Sequence, residues 1–222
     1  MKKKIALFDL DHTLIPFDSD YEWNEFTIAL GWRDGDDFRR TNDAFFAQYR
    51  DGTLNIHDYI RFATQAIRDK GAIESIAARA HFMSATVLKG IKKQALDLVQ
   101  GHQQAGDEVV IVTATNEFVT RPIADAFGVQ ELIAIELVRD AQGSFTGEIL
   151  GTPSFREGKV NRVEAWLAGR NLDWQDVETT FYSDSMNDLP LLEKATHPVA
   201  ANPDDRLRQL ATERGWRILD LF

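Results

Sequence analysis

The chain has no cysteine among its 222 residues. That absence excludes disulfides, zinc–thiolate sites and thiol catalysis, and it fits a cytoplasmic protein. Positive charge is also short: 25 Lys and Arg face 35 Asp and Glu, a formal net charge of −10. A chain of that sign has no electrostatic means of gathering nucleic acid or an anionic membrane, so neither is expected as a partner. Any phosphate it handles must meet a local positive site built from a metal ion, a lysine and backbone N–H groups. Long apolar runs are missing as well. The opening Met1–Phe8 has the basic start of a secretory leader, but Asp9 and Asp11 interrupt its apolar part after four residues. No other stretch approaches membrane-spanning length. What remains is an ordinary globular composition, 44% hydrophobic and 27% charged. The chain is long enough for one well-buried domain, or one domain plus a modest insert.

Short apolar runs alternate with amphipathic stretches. Ile5 to Leu10 ends in carboxylates, the pattern of a buried strand with a polar C-terminal end. Residues 91–105 have helical spacing, with Ile91, Ala95, Leu98 and Val99 on one face and Gly106 just beyond. Val109 to Val112 reads as a second strand ending at Thr113, and 117–127 as a helix stopped by Gly128, with Pro122 disturbing its start. Leu132 to Leu137 is a third strand, followed by a hairpin over Val138–Arg139, the turn Asp140–Gly143 and Ser144–Ile149. A helix over 157–169, a strand Thr180–Tyr182 ending at Asp184, a helix over 187–195, a strand at 198–200, a helix over 204–214 and a strand over 216–220 complete the pattern.

Strands alternating with helices imply an α/β fold with a parallel sheet and helices on both faces. Residues 16–88 break that rhythm, carrying Trp23, Phe26, Phe38, Phe45, Phe46 and Tyr49 at broadly helical spacings and no convincing strand. The expected organisation is an α/β core of residues 1–15 and 89–222, with 16–88 as an all-helical cap inserted after the first strand. Most of the insert's aromatic residues are expected in its own core, with one or two facing the site.

Three of the strands end in groups useful for phosphoryl transfer: Asp9 and Asp11, then Thr113, then Asp184. In an open parallel sheet such ends converge where the connections diverge to opposite faces. Lys159, near the start of a helix, can join them. A carboxylate such as Asp9 can act as nucleophile and form an acyl phosphate. Two anions repel, so a cation must sit between them, and magnesium accepts a few carboxylates, waters and a phosphate oxygen. Asp11, two residues on, can reach the leaving-group oxygen as general acid and later activate water. Lys159 and the Thr113 hydroxyl would stabilise the transferred group.

Phe8-Asp9-Leu10-Asp11-His12-Thr13-Leu14 resembles the first motif of the haloacid dehalogenase superfamily, Asp-x-Asp-x-Thr. Thr113, in Thr113-Ala114-Thr115, resembles the second motif, Lys159 after Gly158 the third, and Ser183-Asp184-Ser185-Met186-Asn187-Asp188 the fourth. The order is the family's, and a helical insert after the first motif is similar to the subfamily that includes phosphoserine phosphatase. The resemblance implies a Rossmann-like core, Asp9 as nucleophile and Asp11 as general acid and base. It implies Mg2+ held by Asp9, Asp184 and the Asp11 backbone carbonyl, with Thr13 and Asp188 supporting. Thr113, Ala114, Lys159 and Asn187 would meet the phosphate. Dehalogenases of the superfamily lack an aspartate at the Asp11 position and its ion-pumping ATPases carry threonine there, so a phosphatase is favoured.

The chain departs from phosphoserine phosphatases in two places. They carry Ser-Gly-Gly at the second motif, and in the insert an arginine eleven residues after a glycine, where counting from Gly52 gives Ala63. That arginine would pair with the substrate's carboxylate. Asp18 and Asp20 follow the first motif and would lie near the site. One reading makes this segment a helix start, with Ser19 or Asp20 as N-cap; the other has Asp18, with Asp20, contacting a cationic part of the substrate. The expected substrate is a small phosphorylated metabolite, and a phosphorylated amino alcohol such as histidinol phosphate has the required layout. Phosphoserine hydrolysis, phosphoryl transfer to an alcohol and a non-enzymatic phosphate-sensing module are the alternatives.

Overall fold

The opening apolar run becomes β1 (Lys3–Phe8), an interior strand of the sheet. The computed structural model describes residues 2–222; Met1, at the head of the expected core segment, lies outside them. After β1 come α1 (Ser19–Ala29), α2 (Gly35–Asp51), α3 (Ile56–Ala63) and α4 (Gln65–Phe82), which is broken at Gly71 by a φ of 77°. A π-helical turn (Met83–Val87) and α5 (Leu88–Gly90) lead to α6 (Lys93–Gln104), β2 (Glu108–Asn116), α7 (Glu117–Ala126) and β3 (Glu131–Ile135). The hairpin β4 (Leu137–Arg139) and β5 (Phe145–Ile149) is antiparallel and packs on α3 and α4. Then follow α8 (Glu157–Ala168), β6 (Val177–Ser183), a 3-10 turn (Met186–Asp188), α9 (Leu189–Lys194), β7 (His197–Ala201), α10 (Asp205–Arg214) and β8 (Arg217–Leu219).

The sheet has six strands in the order β3-β2-β1-β6-β7-β8, and every neighbouring pair is parallel. The period-2 alternation of the strands sorts the core into two layers. Ala6, Phe8, Val109 and Ile111 face Ala95 and Val99 of α6 and Val119 and Ile123 of α7. Ile5, Leu7, Val110 and Val112 face Val163 of α8, Leu191 of α9 and Leu207 of α10. Trp23, Ile60 and Phe82 of the insert belong to the first layer, so the helices after β1 share that core. The chain moves from β1 outward to β2 and β3, then returns across β1 to β6. Between β1 and β6 lies the switch point, where the carboxyl ends of neighbouring strands open a crevice.

Three local expectations need correction. β2 does not stop at Thr113 but runs to Asn116, because its pairing with β3 shifts register between Val112 and Asn116. The third strand ends at Ile135 rather than Leu137, which turns away to open the hairpin. Pro122 leaves α7 intact. The N–H it lacks would have met the Phe118 carbonyl, and Arg79 of α4 donates to that carbonyl instead at 2.7 Å.

Candidate active site

The β1–β6 ladder runs one step past Phe8: the Asp9 N–H donates to the Tyr182 carbonyl at 2.9 Å. This sets Asp9 beside the end of β6, where Asp184 emerges. The two Asp9 oxygens have different partners. Lys159 Nζ donates to Oδ1 at 2.7 Å, and Thr13 Oγ1 lies 3.2 Å from Oδ2. The same hydroxyl lies 3.1 Å from Asp184 Oδ1 and accepts from the Asp184 N–H at 3.1 Å. A hydroxyl has one proton, so Thr13 shares it between the two carboxylates and pins the strand ends together.

Behind Asp9, Lys159 is 1% exposed and also donates to Asp188 Oδ2 at 2.7 Å, which accepts from Ser183 Oγ at 2.7 Å as well. Burial opposes the charge on Lys159, but Asp188 and Asp9 outweigh it and hold the ammonium above its ordinary pKa. Its placement depends on Gly158. A Cβ there would come within 2.0 Å of the Pro153 carbonyl oxygen, so only glycine lets the first turn of α8 pack against that loop.

Asp11 is held by donors on both oxygens, the Ser19 N–H at 2.7 Å and Thr115 Oγ1 at 2.8 Å. Burial first, and the nearby Asp18 second, push its carboxyl up to about 6. A carboxyl in that range can both give and take a proton near neutral pH. Asp18 is the N-cap of α1, accepting from the Asp20 and Tyr21 N–H groups at 3.0 and 2.8 Å. The cap is thus Asp18 rather than Ser19 or Asp20. Asp18 also lines the cavity, so capping α1 does not remove it from the site.

The cavity above these groups has a floor that includes Asp9, Asp11, Asp184, Thr113 and Ala114, and walls of Phe45, Phe46, Tyr49, Leu54, Ile56 and Tyr59. With Tyr21, five aromatic side chains of the insert therefore face the site, where one or two were expected. α2 presents positions 42, 45, 46 and 49 on one face, as helical spacing requires. Among the described residues lining the cavity there is no lysine or arginine. Ala63, at the counted arginine position, is buried.

Two expected site residues lie elsewhere. Asn187 points to the insert rather than the phosphate floor: its Nδ2 donates to the Tyr49 carbonyl at 2.7 Å. Asp20 is 1% exposed, accepts from Asn116 Nδ2 at 3.2 Å and is not part of the cavity lining. The sequence reading also missed Thr115, Ser183 and Ser154, whose Oγ donates to the Thr113 carbonyl at 2.6 Å. For Thr115 a signal existed, a second hydroxyl two residues beyond Thr113.

Of the carboxylates Asp9, Asp11, Asp184 and Asp188, Asp9 and Asp188 are bonded to the ammonium of Lys159, while Asp11 and Asp184 have hydroxyl and backbone partners. Burial, followed by Asp9 and Asp188, drives Asp184 well above the usual carboxylate range, and burial with Asp9 raises Asp188 to about 6 despite Lys159. Among the described residues no three acidic or imidazole side chains form a closed metal cluster. The excess of buried negative charge and the all-oxygen donor set fit a magnesium ion, which binds one or two carboxylates and keeps positions for water and phosphate.

Residues 6–193 match the model of the haloacid dehalogenase-like hydrolases. The chain belongs to this family. The hydrolase is 39% identical over 219 residues to a histidinol-phosphatase of Neisseria meningitidis serogroup C, a match covering 98% of this chain and 99% of that one. It superposes with a TM-score of 0.93 on a protein of unknown function from Bordetella pertussis Tohama I, at 48% identity and full coverage of both chains. A substrate-bound phosphoserine phosphatase shares the fold, with a TM-score of 0.69 at 18% identity, covering 99% of this chain and 93% of the other. The family places the chain among hydrolases. Phosphatases of this family generally use Mg2+. Among the described residues no helix is long and apolar enough to cross a membrane.

Proposed function

We propose that this hydrolase is a Mg2+-dependent phosphomonoesterase of the cytoplasm that cleaves the phosphate ester of a cationic amino alcohol, with histidinol phosphate as the substrate that fits best. The observation that carries the reading is the cavity: aromatic and aliphatic walls, the Asp18 carboxylate, and no lysine or arginine among its described lining residues. Such a pocket favours a substrate with a flat ring and a separate positive charge, and gives the carboxylate of phosphoserine no lysine or arginine. The relative named histidinol-phosphatase, matched over nearly the full length of both chains, supports the same choice.

In the reaction the Asp9 carboxylate attacks phosphorus, the bond to the alcohol oxygen breaks, and Asp11 gives that oxygen its proton. Water then attacks the aspartyl phosphate, Asp11 takes a proton from it, and inorganic phosphate leaves as Asp9 is restored. Lys159 and Thr113 stabilise charge on the transferred group. The Asp9 and Asp184 carboxylates and the Asp11 carbonyl would hold magnesium, which supplies further neutralisation of phosphoryl charge when bound. The insert 16–88 acts as a lid that excludes water. Its closed position is supported by the Asn187–Tyr49 bond and by Arg156 Nη1, which donates to the Gly52 carbonyl at 2.9 Å.

The test compares kcat/KM for histidinol phosphate, phosphoserine and para-nitrophenyl phosphate. Histidinol phosphate should lead phosphoserine by at least about tenfold, since an unpartnered buried charge is strongly disfavoured. Asp18→Asn keeps an N-cap oxygen and removes the charge. It should lower kcat/KM for histidinol phosphate by roughly tenfold to a hundredfold, and much less for para-nitrophenyl phosphate. Equal turnover of phosphoserine would sink the reading.

A further inference from the structure

The inner face of α2 is apolar at Phe38, Phe45 and Tyr49, yet between them stands Asn42, 1% exposed. Amphipathic patterning does not call for an amide there. Asn42 Oδ1 accepts from Asn24 Nδ2 of α1 at 3.2 Å, which fixes the side chain. Its own Nδ2 has no partner among the described residues, although Asn42 lines the cavity. A buried donor left unpaired is unfavourable, and where one persists at a binding cavity it calls for a ligand acceptor.

Position along α2 indicates which end of a ligand it would meet. Tyr49, which lines the cavity with Asp9 and Asp184 and whose hydroxyl pKa is raised by burial first and then by the nearby Asp188, Asp9 and Asp184 charges, is seven residues further on. At 1.5 Å of rise per residue, Asn42 is about 10 Å along the helix from that point. This is the scale of a phosphorylated amino alcohol measured from its phosphate to its far end.

We infer that Asn42 is a specificity-determining residue whose amide donates to an uncharged acceptor, such as an aromatic ring nitrogen, at the end of the substrate remote from phosphate. This rests on the cavity being the substrate site proposed above. Recognition then has two separate points beyond the phosphate: Asp18 for the ammonium and Asn42 for the ring. A cationic amino-alcohol phosphate that lacks the acceptor keeps the first point and loses the second. Among such esters the enzyme therefore selects those carrying a nitrogen heterocycle.

The experiment uses the intact enzyme with Mg2+ at pH 8, where an imidazole is neutral. It compares histidinol phosphate with phenylalaninol phosphate, which has the same amine and phosphate but no ring nitrogen. The parent enzyme should prefer histidinol phosphate by about tenfold or more. Asn42→Leu, which keeps the branching of the side chain and removes its polar atoms, should erase that preference, chiefly by raising KM for histidinol phosphate. Thermal midpoints establish that the variant is folded, and Asn42→Ala replaces it if it is not. Parallel losses on both esters, or an unchanged preference, would overturn the role of Asn42 and leave only a packing contact between α1 and α2. If the parent enzyme cleaves para-nitrophenyl phosphate but neither amino-alcohol ester, the proposed substrate class fails and this inference falls with it.

Discussion

Replacing Lys159 by methionine isolates the balance of charge that the fold has built around Asp9. The substitution retains most of the apolar stem and removes the ammonium, along with two hydrogen bonds of 2.7 Å to Asp9 and Asp188. Removing one partner of a buried ion pair costs about 3–5 kcal/mol, because the remaining charge stays desolvated. For a chain of this size that is a fall in Tm of about 6–20 °C. The loss must depend on pH. Without Lys159 the Asp9 and Asp188 carboxyls, already above the ordinary 3.8, rise further in the folded state. An acid with a raised folded pKa favours the folded state at low pH and withdraws stability as pH rises above its unfolded value. The deficit of Lys159→Met is therefore largest near pH 7.5 and shrinks towards pH 4. Adding Asp188→Asn should recover part of the stability without restoring turnover. Urea unfolding followed by circular dichroism, with chelator present, measures each variant. A deficit under about 1 kcal/mol at pH 7.5, or one that grows on acidification, would refute the reasoning.

Magnesium should raise the Tm of the parent protein, by about 2.7 kcal/mol of added stability at a hundredfold excess over its Kd, and Asp184→Asn should weaken the response. A midpoint indifferent to both metal and chelator would rule out the proposed site. Asp20 is pushed up to about 8 by burial first and then by Asp18 and Asp11, so the stability it withdraws grows between pH 3.8 and about 8. Asp20→Asn should stabilise the protein by about 1–3 kcal/mol at pH 8 and little at pH 4, and the reverse trend in thermal unfolding would contradict its burial as an acid. Gly158→Ala must displace either the Pro153 carbonyl or the turn that carries Lys159. Steady-state assays should find kcat lowered by about tenfold or more, whereas an unchanged kcat would mean that the turn tolerates the methyl group.

The chemistry-bearing strand ends were legible because each is a local signal: an apolar run of period 2 that stops at a carboxylate or hydroxyl. Asp9, Asp11 and Asp184 followed from that pattern and their motifs. What escaped the sequence depends on partners distant in the chain. Asn187 was recognisable as a motif residue, but its acceptor, the Tyr49 carbonyl, lies 138 positions away. Pro122 looked disruptive because nothing nearby reveals that Arg79 satisfies the carbonyl it orphans. The N-cap of α1, expected at Ser19 or Asp20, lies one or two residues earlier at Asp18, and all three have capping side chains. Only the extended backbone of Asp18, φ −85° and ψ 116°, distinguishes them. Asn42 interrupts the apolar face of α2, but the break in pattern alone does not reveal its bond to Asn24 or its place in the cavity lining.

The ion pair between Lys159 and Asp9 also bears on when the work of dehydration is done. A flexible surface lysine would shed its water each time a phosphate arrived. Lys159 is already dry, fixed from two sides by Asp9 and Asp188. The cost of stripping that ammonium falls on folding, once per molecule, and not on each catalytic cycle. Substrate therefore enters a field that is already oriented, and the chain carries a less favourable interior for its whole lifetime so that each turnover needs less rearrangement.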